Sequence, residues 1–115
     1  MEEKITLDFG KKKIFVQARV MGLIGKTVGL MFSRREKAKI LLFKFKKPTR
    51  TAIHSFFVLF PFIAVWIDAD GKIIETKIVE PFLPYVVPKK DYLSLVEIPL
   101  NRKYKKITDD IERFK

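Results

Sequence analysis

Apolar and polar positions alternate with period two along much of the chain, and that pattern predicts strands. Over Lys4–Phe9 the apolar Ile5, Leu7 and Phe9 face one way, and Lys4, Thr6 and Asp8 the other. Gly10 with Lys11, Lys12 and Lys13 reads as a turn. Ile14, Val16, Ala18 and Val20 then resume the alternation, which predicts an N-terminal hairpin. Ile40–Lys46 repeats the pattern, with Leu41, Phe43 and Phe45 on one face and Lys44 and Lys46 on the other, up to Lys47-Pro48-Thr49. Lys72–Val79 and Tyr92–Ile98 predict two more strands, the second stopped by Pro99.

The alternation fails over Ile53–Asp68, IHSFFVLFPFIAVWID, where Phe56, Phe57, Phe60, Phe62 and Trp66 crowd together and no charge precedes Asp68. A membrane span needs about 20 apolar residues. A helix interior would kink at Pro61, at a cost of about 3 kcal/mol. The Phe, Val, Ile and Trp content favours pleated sheet, so the stretch predicts two buried, mutually paired strands, Thr51–Leu59 and Phe62–Asp68, with Pro61 at the bend or in a bulge. Asp70-Gly71 predicts a two-residue type I′ hairpin turn. Pro81, Pro84 and Pro88 mark an extended loop that Phe82, Leu83, Tyr85 and Val86 are expected to fasten to the body.

Helical signals are few. Gly22, Gly25 and Gly29 weaken any helix over Met21–Phe32, leaving irregular chain or a single helical turn. Ser33-Arg34-Arg35-Glu36 has capping-box spacing and predicts a short helix at about Arg34–Lys39. Ile107, Ile111 and Phe114 fall at i, i+4 and i+7 and suit a helix, although 111–114 equally fits a last short strand. Together these elements predict a single mainly-β domain over residues 1–115. It would be an antiparallel barrel or sandwich of about 6–8 short strands with one or two short helices.

Charge and composition narrow the partners. A chain of 115 residues suits one domain and can bury roughly two-thirds of its unfolded surface. The lack of cysteine excludes disulfides, thiolate metal sites and thiol nucleophiles. The start Met1-Glu2-Glu3-Lys4 shows no signal-peptide pattern, so a cytoplasmic location is expected, with no transmembrane segment. The net charge of +11 is lopsided. Residues 1–50 hold 14 Lys/Arg against 4 Asp/Glu, and residues 51–115 hold 10 against 9. Such asymmetry points to nucleic acid or another polyanion. Abundant Lys with scarce Gln, Asn and Cys is also the thermophile bias, in which case the charge serves heat resistance.

Several segments, taken in order, resemble a widespread family, domain of unknown function 192. They are Gly29-Leu30-Met31-Phe32, Leu41-Leu42-Phe43-Lys44-Phe45, His54-Ser55-Phe56-Phe57, and Pro61 with Val65-Trp66-Ile67-Asp68 and Gly71. Tyr92–Ile98 resembles the family's late tyrosine-led strand, so the resemblance spans about residues 4–100. It implies a compact β-rich fold and brings no established activity; its motif residues here include Gly29, Leu30, Met31, Phe43, His54, Pro61 and Asp68. The chain departs from the pattern at Ile63, where members carry an Asp, at Leu59 and Phe60, where a polar residue is common, and around Pro99-Leu100-Asn101, where a glycine is usual.

No catalytic constellation stands out. His54 is the single histidine, and as a general base it would need a carboxylate such as Asp68 beside it. Asp68 and Asp70 are explained by turn chemistry. Asp109, Asp110 and Glu112 lack a Gly-centred calcium loop, and neither metal nor cofactor is expected. The basic set Lys11, Lys12, Lys13, Arg34, Arg35, Lys44, Lys46, Lys47 and Arg50 forms a phosphate-tracking surface if the fold brings it together. Single-strand binding would add exposed aromatics. Phe15 is the best exposed candidate by parity, while the other aromatics look committed to the core. The leading expectation is therefore a small non-enzymatic binding domain with an anionic partner. Its alternative is a protein-interaction module that self-associates, as in a homodimer, through the apolar strands of 53–67.

Overall fold

The computed structural model describes residues 1–21 and 29–115. Its elements are β1 (Glu2–Asp8), β2 (Lys13–Val20), a 3-10 turn η1 (Arg35–Lys37), β3 (Leu41–Thr49), β4 (Phe62–Ile67), β5 (Ile73–Val79), β6 (Tyr92–Pro99) and α1 (Lys105–Phe114). The strands form one curled, mixed sheet, a half-barrel, in the order β1-β2-β3-β6-β4-β5. The β-rich class matches the alternation. Neighbours are antiparallel except β2 and β3, which run parallel through a short register, Arg19 opposite Leu41 and Val20 opposite Leu42.

β4 lies between β6 and β5, and all six of its residues are buried. A strand covered on both faces needs apolar side chains at every position, which is why the alternation vanishes there. On one face Ile63 and Val65 join Leu7, Val16, Val96 and Ile98 under Ile111 of α1. On the other, Phe62, Ala64 and Trp66 join Leu41, Phe43, Tyr92 and Leu95. That second face is covered by non-regular chain, through Leu30 and Ala38, Val58 and Phe60, and Val86.

Several sequence expectations are corrected. Thr51–Leu59 is not a strand and does not pair with β4. It crosses the sheet face as a loop with one isolated bridge, Ile53 to Val86. β4 instead takes β5 and β6 as partners, so neither of its edges is left for residues 51–59. The capping box at Ser33–Glu36 does not form: η1 has no side-chain cap, and the Glu36 carboxylate accepts from the Arg102 N–H at 2.9 Å. At the β4–β5 hairpin the Gly71 N–H donates to Asp68 O, and only Gly71, at φ +81°, is left-handed. That is a type I turn with a glycine bulge, and the type I′ turn would need positive φ at both central residues. In the proline loop Val86 is buried, but Phe82, Leu83 and Tyr85 are exposed. The tail resolves as helix α1, with Ile111 buried and Ile107 against the same cluster. The reading of Met21–Phe32 lies mostly outside the described residues, from 22 to 28. Among the described residues no helix is long and apolar enough to cross a membrane.

Candidate functional site

One turn is built three times on the loop-covered face. The Ser33 N–H donates to Leu30 O, and the Val58 N–H to Ser55 O, each closing a four-residue turn. In both, the second central residue is left-handed: Phe32 at φ +61° and Phe57 at φ +60°. Glu80–Leu83 repeats the shape with Pro81 followed by Phe82 at φ +63°. Type II turns place glycine at that position, because a Cβ there is strained. A bulky residue in this region costs on the order of 1 kcal/mol or more. Three phenylalanines carry that cost here.

Ser55 holds the turns together. Its hydroxyl accepts from the Leu83 N–H at 2.7 Å and donates to Glu80 O at 2.6 Å, standing in for the closing bond of the third turn. Its backbone N–H donates to Leu83 O, and its carbonyl accepts from the N–H groups of both Val58 and Phe82. The Phe32 N–H donates to Phe57 O, which joins the first turn to the second. The result is a ladder of rings. Phe32 and Phe57 stack with centroids 5.3 Å apart and planes 18° from parallel, and Phe57 meets Phe82 edge-on at 6.4 Å. These rings are 69%, 51% and 52% exposed, and Phe56, Leu59 and Tyr85 are exposed on the same loops. Exposed apolar surface of this kind makes the ladder the candidate interaction site.

The same loops wall a cavity of about 160 Å³. Leu30, Phe43, Val58, Phe62 and Leu95 supply apolar lining, and Glu97 of β6 shares it. Strand parity brings Glu97 here: it is two residues from Leu95 and sits between Leu41 of β3 and Ala64 of β4. It is 6% exposed, and among the described residues no hydrogen bond or ion pair reaches its carboxyl. Burial pushes that carboxyl up to about 8, so it is largely protonated at neutral pH. Tyr92, also on the wall, rises to about 12 through burial and then the neighbouring Glu97. Its hydroxyl donates to Thr51 O at 2.8 Å.

The basic residues separate into three groups. Lys11, Lys12 and Lys13 sit at the tip of the β1–β2 hairpin, and Lys13 is six residues before the β2–β3 contact, roughly 20 Å along the strand. Lys44, Lys46, Lys47 and Arg50 follow β3 away from its start, towards an end roughly 25 Å from Leu41. Lys44 is taken up by Glu3 at 2.7 Å, and Arg50 donates to Pro88 O at 3.2 Å. Arg34 and Arg35 belong to the ladder's neighbourhood, since Arg34 is two residues beyond Phe32. The Arg35 Nε donates to Leu100 O at 2.7 Å, and the Asn101 side chain donates to Arg35 O at 2.8 Å. These bonds draw Arg102 to η1, where it faces Glu36 at 3.6 Å.

The remaining candidates have local duties. His54 Nδ1 accepts from the Phe56 N–H at 3.2 Å, and His54 also lines the cavity. Asp68 Oδ1 accepts from the N–H groups of Asp70 and Lys72, which fixes the hairpin turn. Asp109, Asp110 and Glu112 pair with Lys105, Lys106 and Lys115 along α1. Of the motif residues, Gly29, Leu30, Met31, Phe43 and His54 line the cavity that Glu97 shares. Pro61 enters β4 and accepts from the Leu100 N–H. Phe15 lies at the surface as its parity predicts, with Lys4 5.5 Å from its ring, whereas no local pattern marks Phe32, Phe57 or Phe82 as exposed. Glu97 does carry a sequence signal, as a lone acid on the apolar parity of Leu95.

No family model matches the chain, and no curated protein matches it. Two solved structures share the fold. One is a proposed transcription regulator from Sinorhizobium meliloti 1021, 17% identical, with a TM-score of 0.78 over 94% of this chain and 87% of that one. The other is a protein of unknown function from Novosphingobium aromaticivorans DSM 12444, 12% identical, with a TM-score of 0.75 over 93% and 79% of the two chains. The chain therefore has the half-barrel fold of these two small proteins.

Proposed function

We propose that this is a small binding domain for single-stranded nucleic acid, with the Phe32–Phe57–Phe82 ladder as its stacking platform. The observation that carries the reading is three exposed rings, each held at a left-handed turn position that glycine would fill without strain. Folding alone does not call for them. Aromatic faces stack on any base, and cationic side chains beside them meet the phosphates. Among the described residues, Arg34, Arg35 and Arg102 are cations at this end of the molecule, whereas the lysines of the hairpin tip and of β3 supply only long-range attraction. The regulator description belongs to the Sinorhizobium protein; at 17% identity that likeness speaks for the fold. Kinship with domain of unknown function 192 remains our reading of the motifs, supported by five motif residues lining one cavity.

Fluorescence anisotropy with single-stranded oligonucleotides tests the proposal. The native chain is expected to bind at micromolar concentration with a log–log salt slope of about −0.7 per phosphate contact. Phe57→Ala is expected to weaken binding roughly 5- to 150-fold, the value of about 1–3 kcal/mol per stacked base. Phe15→Ala, on β2, leaves it unchanged. No binding by the native chain, or no loss with Phe57→Ala, overturns the reading. A concentration-dependent mass in sedimentation that Phe57→Ala abolishes would put self-association through the ladder in its place.

A further inference from the structure

The cavity beneath the ladder asks for its own occupant. A carboxyl buried without a partner is costly unless it stays protonated or meets an opposite charge. Among the described residues, the elements around Glu97 leave it unanswered. β3 and β4 set Leu41 and Ala64 across from it. The Tyr92 hydroxyl is spent on Thr51 O, and His54 Nδ1 is engaged by the Phe56 amide. The described loop residues Gly29, Leu30 and Met31 carry no ionisable group. Gly29, at φ +52°, lies beside the carboxyl without a side chain to cover it. A Cβ added there would meet Glu97 Oε1 at 3.6 Å and Phe43 Cζ at 3.7 Å, so the glycine leaves one face of the acid uncovered.

We propose that this cavity receives a small organic cation, a primary ammonium on a short apolar stem, with the cation against Glu97 and the stem among Leu30, Val58, Phe62 and Leu95. The volume, about 160 Å³, matches a ligand of benzene size. Charge decides the class. A neutral donor gives the carboxyl one hydrogen bond, whereas a cation also stabilises its ionised form. The rings of Phe43, Phe62 and Tyr92 in the lining favour a cation as well. The +11 charge of the chain opposes a cation only weakly at contact, because salt screens it beyond about 10 Å. Below about pH 8, where Glu97 gives up its proton, ammonium binding displaces that proton, so affinity rises with pH and levels off above. The site is independent of the ladder rings.

Methyl NMR titration with n-butylammonium, with 1-butanol and butyramide as neutral counterparts, tests the assignment. Butylammonium is expected to shift the Leu30, Val58 and Leu95 methyls saturably and to bind about tenfold tighter at pH 9 than at pH 7, the proton-linkage factor for a carboxyl at about 8. Glu97→Gln, whose spectrum stays dispersed, is expected to weaken it at least tenfold at pH 9, and Phe57→Ala to leave it unchanged. Equal binding of butanol or butyramide, indifference to Glu97→Gln, or no methyl shift at tens of millimolar amine each overturns the proposal.

Discussion

Between pH 5 and 8 the native protein is expected to lose stability steadily, and Glu97→Gln to remove most of that loss. The carboxyl titrates at about 8 in the fold against an ordinary value of 4.5. Across that interval the native state keeps a proton that the unfolded chain has released. Stability therefore falls as pH rises from about 4.5 and flattens above about 8. Each unit of difference is worth about 1.4 kcal/mol, so the whole window holds several kcal/mol. Glutamine keeps the shape and cannot ionise. The Tm of Glu97→Gln minus that of the native chain is expected to grow by on the order of 10 °C from pH 5 to pH 8. Thermal melts of the two proteins across pH measure it, and parallel curves would show that Glu97 is solvated in the folded state.

Ser55→Ala is the second change with a large expected effect. The side chain is fully buried, and its loss strands the Leu83 N–H and the Glu80 carbonyl together. Each orphaned group costs about 1–3 kcal/mol, which predicts a loss of about 2–6 kcal/mol and a Tm lower by at least roughly 10 °C. The damage should be local first. Hydrogen exchange at the Phe82, Leu83 and Val86 amides is expected to speed up before that of β4, because these amides are held to the 50–61 loop alone. A melting point within 2 °C of native, with the Phe82 amide still protected, would mean that Ser55 is not the junction.

The two predictions draw on features that differ in how far the residues announce them. β1, β2 and β3 follow from period-two alternation at Ile5-Leu7, Ile14–Val20 and Leu41–Phe45, and β5 and β6 from runs bounded by Asp70-Gly71 and by Pro99. β4 was found by its density of apolar residues, but residues 51–59 have the same composition and form a loop. Composition cannot separate the two, because what distinguishes them is which neighbour occupies each strand edge. The ladder was illegible for a sharper reason: Phe at φ near +60° runs against local preference, so no propensity rule would put Phe32, Phe57 or Phe82 there. The basic residues were visible as a set, and only the sheet order shows that the hairpin lysines and those of β3 lie far apart.

The sheet order also governs how the chain can assemble. β6 lies between β3 and β4, although it is the last strand to be synthesised. Until Tyr92–Pro99 is available, the chain holds two separate pieces: β1 and β2, with β3 attached through two register pairs, and the β4–β5 hairpin. Each presents an apolar open edge, Leu41–Phe43 on one and Phe62–Ile67 on the other, of the kind that pairs with foreign strands. Joining them requires contacts between residues far apart in sequence, which slows folding. A nascent or truncated chain ending before Tyr92 is thus expected to aggregate or to need a chaperone, since the strand that joins the two pieces is missing.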